Sequence, residues 1–307
     1  MLVPFAKFQA VGNDWLVVGG EGLPRPLASF ARAILDRHTG MGADGLLVLT
    51  PPSDSAHDAR LRFLNADGSE AEMSGNGIRC AGAFLAELSP AKPTFLLETA
   101  AGLKSLEKAK RQKGKLQFRV AMGAPVLDPA KIPFKGKGVP TPVAGYPLRT
   151  RHGVVAVTVT SMGNPHCSIF VENFAAPGVG QKGKNLVAVR GQPPGPNRPK
   201  ASIADWEALG REIETNPLFP NRTNVEFVKV ISPREIAVRY WERGVGHTLS
   251  SGTGSCAAAV ASILNGMTDR GVRVRTEAGT LEVSWPENGE VTLIGPVERV
   301  GQGTYDC

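Results

Sequence analysis

The chain has 307 residues, of which 42% are apolar and 21% charged, with a formal net charge of +7. That length suffices for two domains of ordinary size, each with its own core, and no apolar run approaches the length of a membrane span or follows the pattern of a signal peptide. The four cysteines, Cys80, Cys167, Cys256 and Cys307, show no paired spacing; they fit reduced thiols in a cytoplasmic protein rather than a disulfide framework or a zinc site.

Taken in chain order, β-branched and alternating apolar runs at 46–49 and 61–64 read as strands. They lead into a glycine turn, Ser74-Gly75-Asn76-Gly77, which opens an alanine-rich helix over 78–88. Strands at 94–97 and 116–120 follow. Residues 125–150 hold six prolines and read as the crossing between two halves, and residues 173–204, rich in Pro, Gly and Lys, read as an exposed insertion. The pattern then recurs: strands at 225–230 and 236–241, a turn at Ser251-Gly252-Thr253-Gly254, a small-residue helix over 255–264, and strands at 272–276, 281–285 and 291–294. The expected fold is therefore α/β of the α+β kind. Two pseudo-symmetric domains each wrap a curved, mostly antiparallel sheet around a central helix. The first covers 1–124 and is completed by 296–307; the second covers 125–295.

The two turns are copies in more than their four residues. Twelve positions before each serine stands an arginine, Arg62 or Arg239; nine before stands a polar side chain, Asn65 or Glu242; twenty-five after stands Thr99 or Thr276; twenty-eight after stands Gly102 or Gly279. Helix capping alone accounts for a Ser-Gly-x-Gly turn, but not for four further matches at equal offsets. Matched halves imply one site between them, with a reactive group offered from each side. A glycine turn entering a helix also leaves backbone N–H groups at the positive end of the helix dipole, where carboxylates bind and where negative charge developing on a substrate is stabilised.

Basic residues cluster at 104–115 and 182–200 without interleaved aromatics, so they read as a solvated hairpin and loop rather than a nucleic-acid surface. Asn13, Asn164 and Asn224 lie at sharp turns between apolar runs. Glu242-Arg243 pairs a carboxylate with a guanidinium, as a substrate bearing both an ammonium and a carboxylate requires. Cys80 and Cys256, just after the turns, read as small apolar residues packed inside their helices. Neither serine lies in a Gly-x-Ser-x-Gly elbow, and Gly40-x-Gly42 lacks the third glycine of a dinucleotide fingerprint.

These residues carry a resemblance. Phe8-Gln9-Ala10-Val11-Gly12-Asn13-Asp14, Gly40-Met41-Gly42-Ala43-Asp44-Gly45, Asn65-Ala66-Asp67-Gly68-Ser69, Gly75-Asn76-Gly77-Ile78-Arg79-Cys80, Met162-Gly163-Asn164-Pro165-His166, Phe219-Pro220-Asn221-Arg222-Thr223-Asn224-Val225, Trp241-Glu242-Arg243-Gly244 and Gly252-Thr253-Gly254 run in the order found in the diaminopimelate epimerase family. The chain resembles that family over almost its whole length, the 173–204 segment excepted. The resemblance implies a homodimer in the cytoplasm, no cofactor and no metal, and a two-base proton transfer at an amino-acid α-carbon that interconverts LL- and meso-diaminopimelate. It further implies substrate contacts from Asn13, Asn65, Asn164, Asn224 and Arg243. Backbone groups at Gly75, Asn76, Gly252 and Thr253 would hold the reacting carboxylate, and His166 and Glu242 would orient and tune the acid–base pair.

The family's two acid–base residues are cysteines, and here both positions are serine, Ser74 and Ser251. A hydroxyl ionises far less readily than a thiol, and an activated serine needs an adjacent base. Three explanations stand: an inactivated Cys→Ser double form of an ordinary epimerase, a natural relative whose serines run a slower or different reaction such as an isomerisation or dehydration, and a non-catalytic amino-acid-binding protein.

Overall fold

The computed structural model describes residues 1–112, 114–151, 153–174, 201–203, 205–287 and 289–307. Most of the segment read as an exposed insertion, 173–204, lies outside these residues, as does the basic cluster at 182–200. The chain divides into two compact units, one made of Met1–Met122 with Leu293–Cys307 and the other of Gly123–Thr292.

In the first unit, β1 (Leu2–Ala10) and β2 (Asn13–Gly19) form an antiparallel pair. Helix α1 (Leu27–Leu35) leads to β3 (Gly45–Thr50), which pairs parallel with β2. Next come β4 (Ala59–Asn65), antiparallel to β3, and the short β5 (Glu70–Ala71). Helix α2 (Gly75–Leu88) follows; then β6 (Thr94–Thr99), parallel to β4, turns into β7 (Gly102–Gln112) and β8 (Lys115–Gly123). The described residues of the 104–115 cluster therefore lie on a hairpin. Helix α1 buries Leu27, Phe30, Ala31, Ile34 and Leu35, the spacing of one helix face, against Leu16, Leu46 and Leu64. The last strand of the chain, β18 (Val291–Asp306), runs antiparallel along β1, from Leu2 opposite Asp306 to Gln9 opposite Glu298.

The second unit repeats this order. After β9 (Val143–Thr150), β10 (Gly153–Ser161) and β11 (Pro165–Phe174) form the antiparallel opening pair. The short β12 (Ala201–Ile203) and helix α3 (Trp206–Glu214) precede β13 (Asn224–Ser232), which is parallel to β11. Strands β14 (Glu235–Glu242) and β15 (Gly246–Thr248) lead into helix α4 (Gly252–Leu264), then β16 (Gly271–Arg275), parallel to β14, and β17 (Thr280–Ser284). The expected architecture, a mostly antiparallel sheet around a buried helix built twice, is what forms. The exception is recurrent: in each unit the crossovers around the two helices make parallel pairs.

Close packing explains the small-residue helices. In α4 every residue from Gly254 to Ser262 is buried. In α2 a side chain at Gly82 would meet Leu106 at 2.8 Å and the Phe118 ring at 3.3 Å. The proline-rich stretch differs from the connector read in sequence. Ile132 and Phe134 are buried in the second unit's core with Trp206 and Phe219, Val126 bridges Ser161, and the end of the stretch is strand β9.

The repeated offsets now have causes. Thr99 and Thr276 each donate a side-chain hydrogen bond to the carbonyl three residues on, Gly102 at 2.7 Å and Gly279 at 3.1 Å, closing equivalent hairpin turns. Arg62 forks onto Glu70 at 2.8 and 2.7 Å. Arg239 pairs with Glu277 and stacks over Phe174 and Trp206. Both arginines brace their sheets.

Candidate active site

Each Ser-Gly-x-Gly turn forms a helix N-cap. Ser74 has extended backbone (φ −130°, ψ 124°), and its Oγ accepts the Gly77 amide at 3.1 Å. Ser251 has nearly the same conformation (φ −137°, ψ 129°), and its Oγ accepts the Gly254 amide at 3.2 Å. The amides of Gly75 and Asn76, and of Gly252 and Thr253, are first-turn groups that an α-helix cannot satisfy internally. They stand where a carboxylate is held at a helix N-terminus.

Around the first turn, the buried Arg79 reaches back along α2 to donate to the Gly75 carbonyl and the Asn76 side-chain oxygen, both at 2.8 Å. Asn65 ends β4 and is tied to Ser69 through its amide (2.8 Å) and its side chain (3.0 Å). Asn13 is clamped on both sides: its Nδ2 donates to Asp44 Oδ2 at 2.7 Å and its Oδ1 accepts Trp15 Nε1 at 2.6 Å. Asp44 and Asp14 also cross-link the two chain segments through each other's amides, at 3.1 and 3.0 Å. Lys7 and Arg37 complete the network, lying 2.9 and 2.8 Å from Asp14. Burial opposes ionisation of Asp14, but hydrogen bonds from Arg37 and Lys7, the Lys7 charge and the Asp44 amide outweigh it and hold the carboxyl at about 2.

Around the second turn the surroundings are more polar. Ser251 Oγ donates to Glu242 Oε2 at 3.1 Å, and Thr248 Oγ1 donates to Glu242 Oε1 at 2.6 Å. Burial of its carboxyl end pushes Glu242 above the ordinary carboxylate range, although the Thr248 and Ser251 hydroxyls pull it back. Asn224 is held like Asn13, donating to the Pro165 carbonyl at 3.0 Å and accepting the Arg243 amide at 2.9 Å. The Arg243 side chain is exposed and donates to the Asn221 carbonyl at 3.0 Å. Asn164 Oδ1 lies 2.8 Å from His166 Nε2, and His166 Nδ1 lies 2.7 Å from Glu226 Oε1. Both nitrogens of this buried imidazole are thus engaged.

The residues read from sequence fall into two groups, each gathered within one unit: Asn13, Asn65, Ser74, Gly75 and Asn76 in the first, and Asn164, His166, Asn224, Glu242, Arg243, Ser251, Gly252 and Thr253 in the second. Sequence reasoning missed the supports behind them. Glu226 carried a signal, a lone acid in the apolar run Val225-Glu226-Phe227-Val228 whose alternation puts it on the same sheet face as Asn224. Glu214 also went unread. It is buried at the end of α3 and accepts Trp241 Nε1 at 2.8 Å and the Gly244 amide at 2.9 Å, so it grips both flanks of Glu242-Arg243. Among the described residues, no three His, Cys, Asp or Glu side chains are grouped to hold a metal ion, and no helix is long and apolar enough to cross a membrane. Cys80 and Cys256 are fully buried, and burial pushes the Cys80 thiol up to about 12.

Comparison with known proteins widens the resemblance read in sequence: the 173–204 segment set apart there falls inside the family match, which instead leaves out 128–157. A sequence model of the family described as diaminopimelate epimerase matches residues 5–127 and 158–300. A diaminopimelate epimerase of Pelotomaculum thermopropionicum is 42% identical over 98% of this chain and 98% of that protein, and one of Desulforudis audaxviator is 41% identical over the same shares. A solved hydroxyproline epimerase from Agrobacterium vitis, with bound trans-4-hydroxy-L-proline, superposes with a TM-score of 0.66 at 16% identity, covering 99% of this chain and 92% of that one. At that identity the likeness is one of fold.

Proposed function

The chain belongs to the diaminopimelate epimerase family, and we propose that it interconverts LL- and meso-diaminopimelate by proton transfer at the α-carbon, with Ser74 and Ser251 in the acid–base positions. One observation carries this reading: in a chain that matches its relatives end to end, each of two repeated units ends a strand pair in a serine-capped helix start of the same geometry. One serine would take the α-proton from one face of the substrate carbon, leaving the electron pair delocalised into the α-carboxylate. The other would return a proton to the opposite face. First-turn amides of α2 and α4 suit the charge that develops on the carboxylate. Asn13, Asn65, Asn164, Asn224 and Arg243 would hold the polar ends of the substrate, and no cofactor enters the scheme.

The serines set the rate. Ser251 already donates to Glu242, whose raised carboxyl makes a fitting acceptor for the hydroxyl proton. Even so, an alkoxide is harder to form than a thiolate, so turnover of this chain is slow. The test follows deuterium from solvent into the α-position of diaminopimelate, for this chain and for Ser74→Cys/Ser251→Cys. We expect trace incorporation by the serine form and a gain of at least about a hundredfold in the cysteine form. A cysteine form that neither exchanges nor epimerises diaminopimelate, while still folded, overturns the assignment. The same reading has the protein working in the cytoplasm as a homodimer on a free amino acid. Sedimentation equilibrium decides the oligomeric part, since one chain has a mass of 32.5 kDa.

A further inference from the structure

The two units repeat in backbone but not in chemistry. In the first, strand pairing sets Trp15 opposite Gly45 and Gly45 opposite Asn65; two residues further in, it sets Val17 opposite Leu47 and Leu47 opposite Phe63. In the second, His166 is opposite Asn224; two residues further in, Ser168 is opposite Glu226 and Glu226 opposite Tyr240. His166 thus stands where Trp15 stands, and Glu226 where Leu47 stands. The correspondence extends to a hydrogen bond. Trp15 Nε1 donates to the side-chain oxygen Oδ1 of Asn13 at 2.6 Å, two residues before it, and His166 Nε2 contacts Oδ1 of Asn164 at 2.8 Å, also two residues before.

An indole is a donor by constitution; an imidazole is one at Nε2 only if that nitrogen keeps its proton. Here the other nitrogen faces Glu226 at 2.7 Å, with the imidazole fully buried and Glu226 1% exposed. Ser168 Oγ donates to the second carboxyl oxygen at 3.3 Å. One proton lies between Nδ1 and the carboxyl. If Nδ1 holds it, the ring is an imidazolium or the neutral Nδ1–H tautomer, and the latter is disfavoured because it sets a bare Nε2 against the Asn164 oxygen, which only accepts; the imidazolium keeps Nε2 protonated. If the carboxyl holds it, Nδ1 accepts and the neutral ring is the Nε2–H tautomer. Burial favours the arrangement with the proton on the carboxyl by pushing Glu226 up, and the contact with the acceptor oxygen of Asn164 keeps Nε2 protonated whichever group holds it. The other titratable groups interacting with Glu226 are Cys167, Tyr240 and Glu242.

We infer that Glu226 is a positioning residue: through His166 it fixes the carboxamide of Asn164, the task that Trp15 performs for Asn13 in the other unit. The inference rests on the proposed function for the claim that Asn164 meets substrate, but not for the link between Glu226 and the ring. The experiment compares the full chain with Glu226→Leu, which copies Leu47 of the first unit, and with Glu226→Gln, whose amide can still donate to Nδ1. Two quantities are read at pH 7: the ¹⁵N shifts of the His166 ring by long-range proton–nitrogen correlation, and the calorimetric affinity for meso-diaminopimelate. In Glu226→Leu, Nε2 should move toward the unprotonated position as the tautomers mix, and affinity should fall about tenfold, the effect of loosening one buried polar contact. In Glu226→Gln, Nε2 should stay protonated while Nδ1 becomes a plain acceptor, with affinity kept within about threefold. His166 shifts that are the same in all three folded proteins overturn the inference, as does an equal loss of affinity in both variants. If none of the three binds diaminopimelate, the proposed function fails, and the ring shifts still decide whether Glu226 fixes His166.

Discussion

Replacing Asp14 with asparagine removes one charge from the lattice that holds Asn13, and the cost can be worked from the structure. Asp14 accepts from Lys7, Arg37 and the Asp44 amide, and its carboxyl sits at about 2 instead of its ordinary 3.8. At about 1.36 kcal/mol per pH unit, that difference is worth roughly 2.5 kcal/mol if counted in full. The side chain is 16% exposed and Arg37 is more open still, so screening by solvent reduces the figure to roughly 1–2 kcal/mol. The sign follows from the direction of the shift. A carboxyl depressed on folding contributes its full stabilisation above about pH 4 and loses it as pH falls toward about 2. Urea unfolding of the original chain and of Asp14→Asn, at steps from pH 7 to pH 2.5, should therefore show a gap of about 1–2 kcal/mol that is flat above pH 5 and closes below pH 4. Other carboxyls titrate in the same range but do so in both proteins, so the difference isolates Asp14. A gap that stays constant to pH 2.5, or no gap at pH 7, would refute the assignment of this carboxyl as a charged tie.

Alanine at either capping serine should cost about 1 kcal/mol in urea unfolding. A loss confined to Ser251→Ala would mean that only the bond to Glu242 matters. Gly45→Ala puts a methyl into the Trp15 ring; it should cost about 1–3 kcal/mol and, by displacing the donor on Asn13, weaken binding of meso-diaminopimelate, whereas unchanged affinity would show that Asn13 does not need Trp15. Glu214→Gln presents an amide N–H to donors that need an acceptor, so it should lower affinity by at least about fivefold; unchanged binding would separate Glu214 from Arg243. Iodoacetamide at pH 8 should label Cys307 alone in the folded protein, with Cys80, Cys167 and Cys256 reacting only in denaturant, because burial holds Cys80 at about 12 and Cys167 well above its ordinary value. Rapid native labelling of either would place it in an open environment.

What could be read before the structure was whatever the chain states twice. The two serine turns, their arginines and their Thr–Gly hairpins recur at fixed offsets, and duplication outweighs the weakness of each signal alone. Strands β1, β2, β10 and β11 carry no such marker, and mixed runs such as Leu2–Ala10 leave strand and loop unresolved. Helix α3 had a legible start, since Asp205 caps the Ala208 amide at 2.9 Å ahead of Trp206, Leu209 and Ile213, but its short, charge-rich sequence did not compete with the low-complexity segment before it. Helix α1 begins after Pro26 with no side-chain cap at all. The supports behind the site were harder still, because they depend on register. That Glu226 stands beside His166, or Glu214 beside Trp241, follows from strand pairing and crossover geometry that no local pattern encodes.

Register is also what makes the unlikeness of the two units informative. The same backbone carries Trp15 and Phe63 in the first unit where the second has His166 and Tyr240, and Ile78 in α2 where α4 has Ser255. Gly77 packs against the Trp15 and Phe63 rings, whereas Gly254 packs against Tyr240 and a Glu226 oxygen. Tyr240 shares a hydrogen bond of 2.7 Å with Ser255, which in turn donates to the Ser251 carbonyl at 2.6 Å. A dry shell holds a helix start rigidly but exchanges no protons; a shell of hydroxyls, an imidazole and two carboxyls can do both. If chemistry at one carbon requires two groups of matched basicity, substituting serine for cysteine weighs unequally on the two turns. Ser251 keeps a carboxyl within hydrogen-bonding reach, while the position equivalent to Glu242 in the first unit is Asn65, which cannot take a proton. Installing cysteine at Ser74 alone should therefore raise the exchange rate more than installing it at Ser251 alone, and the reverse order in the deuterium assay would show that the shell around α4 does not activate its serine.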